Sequence, residues 1–279
     1  MRTIGAIIKA ILYVVFFVVI QGLTSFIYLI ATLISKLRAA DFESVTSKSV
    51  QDMLIQSAIE LWDKMPILMI GSGIFMLVLL WIIFKMRHKS FAKEIHLKAI
   101  GASNIVPLIL VGIALQFVAT LAVELIPYPE IWIIDHQQAM DEAVNLKNIA
   151  MTICSVVIYA GIVEEVIFRG LVYTRLKRGM PVVVAAILSS ILFGLIHGSP
   201  IQVLATILMG LLLVWVFEKF NSIVPCIIVH MANNLTAIVI AWASPIIERN
   251  MWTIIIYTMV MSAITMIAGI WLCKKQKAH

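Results

Sequence analysis

Hydrophobic residues in this chain come in blocks long enough to cross a lipid bilayer, separated by short polar stretches where the charges gather. The blocks cover residues 4–35, 66–84, 104–126, 149–178, 182–197, 201–220, 222–243 and 251–272. A spanning helix needs about 20 predominantly apolar residues. The pattern therefore predicts an all-α polytopic membrane helical bundle of about eight transmembrane helices. The first block exceeds the bilayer and is expected to tilt or protrude, with Lys9 snorkelling to the interface. It is also too long for a signal-peptide core and lacks a clear cleavage site, so it is expected to stay as an anchor. Residues 36–64 turn polar and mixed in charge. There Val50, Met53, Leu54, Ile59, Leu61 and Trp62 recur at loosely helical spacing, which predicts an amphipathic helix on the exterior surface.

Charge then orients the blocks. Lys85, Arg87, His88, Lys89, Lys93 and Lys98 follow the second, Arg175, Lys177 and Arg178 end the fourth, and Lys274, Lys275 and Lys277 follow the last. Residues 127–148 instead carry Glu130, Asp135, Asp141 and Glu142 against Lys147. Because cytoplasmic loops collect Lys and Arg, both termini are expected in the cytoplasm and the acidic loop outside. The net charge of +6 is then a topology signal, and no nucleic-acid partner is expected. With 62% hydrophobic residues, 13% charged and a mean hydropathy of +1.05, the chain is far from a soluble domain, whose apolar share is about 45–50%. It is expected to be a multi-pass protein of a bacterial cytoplasmic membrane, with lipid as its immediate partner. Cys154, Cys226 and Cys273 lie within or beside the blocks without paired or metal-ligand spacing, which excludes a disulfide framework or a zinc–thiolate site. No inverted repeat of the transporter kind is visible. Three parts result: N-terminal helices with the exterior segment over 1–148, a helical core over 149–243, and a last helix with a basic tail over 244–279.

Polar residues inside the blocks carry the candidate chemistry. Glu164 and Glu165 stand side by side in an apolar run, where a charge costs roughly 2.5–3.5 kcal/mol on insertion scales. Glu165 and Arg169 form an i, i+4 pair in the favourable acid-first order, which offsets both charges and leaves Glu164 free for chemistry. Counted from the turn at Met180, Glu164 and His197 each lie roughly 24–26 Å along antiparallel helices, so they are expected to face each other. His230 and Asn234 are four apart and share a face of the seventh helix. Phe168 follows Glu164 by four and Phe193 precedes His197 by four, which puts a ring on each side of the site to exclude lipid or grip a substrate. Each residue also has an ordinary reading. The glutamates and Arg169 can tie helices together, His197 can sit at the interface, His230 and Asn234 can be interhelical hydrogen-bond glue, and both Phe can be packing. His88, His96, His136 and His279 fall in loops or at the end and are assigned no function. Glu124 and Glu218 sit near span ends, where solvation explains them.

Taken together, Glu164-Glu165-x-x-x-Arg169, Phe193-x-x-x-His197 and His230-x-x-x-Asn234, in this order on successive helices, resemble the three motifs of the CPBP family. That family comprises membrane proteases including the type II CAAX prenyl endopeptidases and bacteriocin-processing or immunity proteins (the Abi family). The resemblance covers about ninety residues of the C-terminal half; Asn233 beside Asn234 offers a second amide. It implies a glutamate-dependent intramembrane peptidase acting on a membrane-associated or lipidated peptide. Glu164 would be the general base on a water, His197 its assistant, and His230 and Asn234 the donors that stabilise the oxyanion. A carboxylate and an imidazole can share the proton of a water, and N–H donors suit developing negative charge. No cofactor is required in this reading. Zn²⁺ on Glu164, His197 and His230 is the alternative, although His-Glu-x-x-His is absent. Two other functions stay open: a non-catalytic immunity or regulatory protein of the same fold, and a proton-coupled transporter, since buried Glu and His also mark proton paths. The substrate and the oligomeric state are not legible from the residues.

Overall fold

Two helices much longer than a bilayer is thick open the fold of the computed structural model, which describes residues 2–40, 46–143, 148–247 and 251–276. Helix α1, Arg2–Ala39, has 38 residues and α2, Ser47–Met86, has 40, so each measures nearly 60 Å at about 1.5 Å per residue. They pack on each other, and the Lys36 ammonium lies 3.0 Å from the Glu60 carboxylate at the far end of the pair. Thr46 starts α2 through a capping box, its hydroxyl accepting from the Ser49 N–H while the Ser49 hydroxyl accepts from the Thr46 N–H. From there the helix runs without a break through Pro66. The separate amphipathic surface helix expected over 36–64 is thus absent among the described residues. Residues 36–39 end α1 and 47–64 form the first half of α2, while 41–45 lie outside the described residues. The reason is local: the cap fixes the start, and Pro66, which removes its own N–H bond and crowds the carbonyl four residues back, does not end the helix here.

Short elements then lead to the centre. Helix α3, Phe91–Glu94, is capped by Ser90, and a 3₁₀ turn at Ala102–Asn104 precedes α4, Ile105–Glu124. The acidic stretch expected as a loop instead contains a helix, α5, Glu130–Ala143; residues 144–147 fall outside the described residues. Next come α6, Ile149–Lys177, α7, Val182–Leu195, α8, Pro200–Phe220, α9, Ile223–Ile247, and α10, Met251–Gln276. Among the described residues, six helices are long and apolar enough to cross a membrane: α1, α2, α4, α6, α8 and α9. The remaining two expected crossings are shorter apolar helices, 14 residues for α7 and the stretch Ile255–Trp271 within α10. The length and apolarity of the six long helices indicate a multi-pass integral membrane protein. The basic tail at 277–279 lies outside the described residues.

Helix α6 is the axis of the bundle. Some 67% of its most apolar stretch is buried, against 17% for α1. Around it, α4 packs on α9 and α10, and α7 packs on α8. The α4–α9 contact depends on Gly112, where a Cβ would stand 2.5 Å from the Val229 carbonyl oxygen and 2.6 Å from the Ala232 Cβ. At the basic end of the bundle, Glu94 gathers Arg175 at 2.8 Å, Lys89 at 3.3 Å and Arg178 at 3.5 Å. Partial burial pushes the Glu94 carboxyl up. The hydrogen bond from Lys89 and the charges of Arg175, Lys89 and Arg178 outweigh it and hold the group below its ordinary value. Lys177 pairs with Glu218 at 2.6 Å, and Thr3 donates to the Gly179 carbonyl at 2.7 Å. The first residues of α1 are thereby fastened to the end of α6.

Candidate active site

The central helix departs from α geometry where the candidate chemistry lies. Residues Ile153–Tyr159 and Val166–Tyr173 are π-helical, with the single α stretch Ala160–Glu165 between them. Such widened turns recur at functional sites, because they release backbone bonds and redirect side chains. Here the α stretch ends on the two glutamates, and both are buried. Glu165 is wholly enclosed, and its Oε1 accepts two bonds, from Arg169 Nη1 at 2.7 Å and from His230 Nδ1 at 2.8 Å. The expected i, i+4 pair is therefore present, and His230 of α9 joins it across the helix interface.

Glu164 faces the other way. Its Oε2 lies 4.0 Å from His197 Nε2 and 3.9 Å from His230 Nε2. His197 Nδ1 sits 2.9 Å from the Phe193 carbonyl oxygen, which can only accept, so that nitrogen carries the proton. His230 Nδ1 is likewise protonated against Glu165. Both rings thus present Nε2 to one carboxylate oxygen, each orientation fixed by a bond on its far side. The hairpin count placed Glu164 and His197 at one depth, and the two side chains do meet.

Phe193 binds these groups into one unit. Its ring lies edge-on to His197 at 5.0 Å, to His230 at 6.0 Å and to Phe168 at 5.0 Å, and the Arg169 guanidinium sits 4.4 Å from its centroid. Phe168 and Phe193 are both fully enclosed, so they hold the site's side chains in place. Asn234 stands one turn beyond His230, its Nδ2 donating to the Val156 carbonyl in the first π stretch at 2.8 Å while its Oδ1 accepts from Asn233 at 3.2 Å. That bond uses one of the two amide protons. Asn233 itself is buried.

The site has a fourth wall that sequence reasoning missed. Gln21 of α1 donates from Nε2 to the Tyr159 hydroxyl, and Phe17, one turn earlier on α1, lies edge-on to Phe168 with centroids 6.2 Å apart. Along α6 these two contacts bracket Glu164. A polar residue inside the first block was the available signal, but nothing in the sequence gives the register of α1 against α6. His136, assigned to a loop, is on α5 with Nδ1 3.4 Å from the Ser199 hydroxyl, two residues past His197. Burial lowers its affinity for a proton.

One cleft of about 400 Å³ is lined by Ile100, Gly101, Lys219 and Phe220, and another of about 510 Å³ lies between α1 and α2 at Tyr28, Lys36 and Glu60. Neither touches Glu164. Two imidazoles and a carboxylate are the donor types of a catalytic zinc. Their separations of 3.9 and 4.0 Å exceed the about 3.4 Å subtended by neighbouring ligands on tetrahedral zinc. Among the described residues no group of three His, Cys, Asp or Glu side chains stands in metal-holding geometry.

Comparison with known proteins agrees with where these residues fall. Residues 146–236, which carry all three motifs, match the family model for the Rce1-like type II CAAX prenyl endopeptidases. No curated protein and no solved structure matches the chain.

Proposed function

From the Rce1-like domain that residues 146–236 form, we propose that this protein is an intramembrane endopeptidase that hydrolyses a peptide bond in a membrane-associated or lipidated peptide by means of a Glu164-activated water. The observation that carries the proposal is the placement of Glu164 Oε2 at 4.0 and 3.9 Å from two imidazole Nε2 atoms. These gaps are too wide for direct hydrogen bonds and suit one water between the three groups.

In this reading Glu164 takes a proton from the water while His197 orients it, and the water oxygen adds to the peptide carbonyl. The resulting oxyanion meets His230 and the free N–H of Asn234. The Glu165 carboxylate at His230 Nδ1 fixes the direction in which Nε2 points, as an orienting carboxylate does in a catalytic triad. The proton held by Glu164 then passes to the amide nitrogen, the C–N bond breaks, and an acid and an amine leave. Arg169 balances Glu165, so the supporting carboxylate keeps its charge without water. No step here passes through a metal. Zn²⁺ on Glu164, His197 and His230 would replace Glu164 as the agent that activates the water.

Purified protein in lipid vesicles, given a quenched fluorogenic peptide with a farnesylated C-terminal Cys-aliphatic-aliphatic-X motif, tests the proposal. Cleavage is expected for wild type. It is expected to vanish in Glu164→Gln and to drop about 100- to 1000-fold in His230→Ala, the loss typical of a missing oxyanion donor. Undiminished cleavage by Glu164→Gln overturns the base assignment. Activity lost to a chelator and restored by Zn²⁺ overturns the metal-free route.

A further inference from the structure

The seven tryptophans of the chain collect at two levels. Trp81, Trp215 and Trp271 lie at the basic end of the bundle. There the Lys85 ammonium sits 4.9 Å from the Trp81 ring and the Lys219 ammonium 4.7 Å from the Trp215 ring, each lysine one turn nearer that end, while Trp271 of α10 stacks on Phe220 of α8 at 6.5 Å. Trp62, Trp132, Trp242 and Trp252 lie at the opposite end, all exposed, with Trp132 just past the end of α4 and 6.2 Å from Tyr128.

The levels are one hydrocarbon thickness apart on each helix that joins them. Trp62 and Trp81 are nineteen residues apart on α2, and Trp252 and Trp271 nineteen apart on α10, about 28 Å of helix in both. On α9, the Cys226 thiol meets the Leu213 carbonyl of α8 at 3.3 Å, which sets Val224 level with Trp215 in this antiparallel pair. Trp242 is eighteen residues beyond Val224, about 27 Å. The hydrocarbon core of a bilayer measures about 30 Å. Residues 65–80 of α2, 224–241 of α9 and 253–270 of α10, between the levels, include no Asp, Glu, Lys or Arg. On the far side of Trp62, α2 continues fifteen residues to Ser47, about 22 Å. That arm exposes Leu54, Ile55 and Ile59, which lipid would accept, and also Asp52, Glu60 and Asp63, which it would not. A charge in hydrocarbon costs more than a part-exposed aliphatic side chain in water, so the acids decide.

We propose that the two belts of indole rings are the surfaces by which the protein grips the two headgroup layers of the bilayer, with hydrocarbon only between them, so that the arm of α1 and α2 beyond Trp62 stands in water. An indole suits that boundary, its rings against acyl chains and its N–H toward water. Lys85 and Lys219 extend the arrangement, their stems along the rings and their charges toward lipid phosphate. The excess length of α1 and α2 is thus taken up by protrusion and not by tilt. The placement is independent of the proposed activity.

Two measurements on the full-length protein in phosphatidylcholine vesicles test it. The first uses wild type: lipids brominated high on the acyl chains are expected to quench the tryptophan fluorescence at least about twofold more than lipids brominated near the chain ends, as interfacial indoles require. Equal or stronger quenching from the chain ends overturns the belts. The second places a single nitroxide label, in a cysteine-free background, at Gln51, Ile55, Ile67, Ile74, Val78 or Met86, all exposed on α2. Relaxation by oxygen, which concentrates in hydrocarbon, is expected to dominate at Ile67, Ile74 and Val78. Relaxation by a water-soluble nickel chelate is expected to dominate at Gln51, Ile55 and Met86. Oxygen dominance at Gln51 and Ile55 shows that the arm lies in lipid by tilting and overturns the proposal. Neither readout involves peptide cleavage, so each result stands whether or not the protein is a peptidase.

Discussion

Glu165 Oε1 accepts from both Arg169 and His230, so a single buried atom ties the central helix to α9. Removing one member of such a group strands a charge in a low-dielectric interior, where breaking a pair costs about 3–5 kcal/mol. Arg169→Ala is therefore expected to lower unfolding free energy by about that amount, read in detergent by titrating a denaturant. Arg169→Lys is expected to recover only part of it, because an ammonium lacks the planar, delocalised charge that the guanidinium places over the Phe193 ring. The Glu165–Arg169 contact was legible because helical periodicity alone brings i and i+4 together. That His230 would approach through Nδ1 was not, since its partner lies 65 residues away and packing sets the ring's orientation. The same holds for Tyr159 and Gln21, separated by 138 residues on helices with no shared motif.

Among the elements, α4 and α9 approach at Gly112 so closely that backbone meets backbone. Gly112→Ala is expected to push α9 outward and destabilise the bundle by about 1–3 kcal/mol, the usual cost of overpacking. Cleavage is expected to fall with it, because His230 and Asn234 ride on α9; a thermal melt and the peptide assay check both. Hydropathy located nearly every helix, and the structure keeps the expected limits of α4 and α8 to within two residues. It did not reveal that α2 is continuous, because the polar half from Ser47 to Lys64 is held by the Thr46 cap and by packing on α1, which mean hydropathy does not register. Nor did it reveal α5, whose exposed Ile131, Trp132, Ile133 and Ile134 are grouped at one end and so give no amphipathic period. The π stretches are likewise invisible in composition.

For the whole molecule, the basic end works as a clamp centred on Glu94. Its carboxyl is held below the ordinary value in the folded protein, so its contribution is complete above about pH 4.3, the value of a free glutamate, and is lost as pH falls through the lower folded value. The unfolding midpoint of wild type is expected to drop through that acidic window, and that of Glu94→Gln to be lower at neutral pH and flatter in acid. The distribution of Lys and Arg predicts that this end faces the cytoplasm. A single cysteine placed near Lys89 in a cysteine-free background is expected to resist an impermeant thiol reagent in intact cells and to react after lysis. Labelling in intact cells would reverse the orientation.

The order in which the chain is synthesised gives the buried ion pair a second significance. Glu165 and Arg169 sit on one helix, four residues apart, and reach the membrane together as a self-neutralised unit. Their histidine partner arrives only when α9 is made, after α7 and α8. A nascent chain can thus lodge its most costly charges early without holding a complete hydrolytic centre, and under the proposed function the peptidase stays inert until most of it has been built.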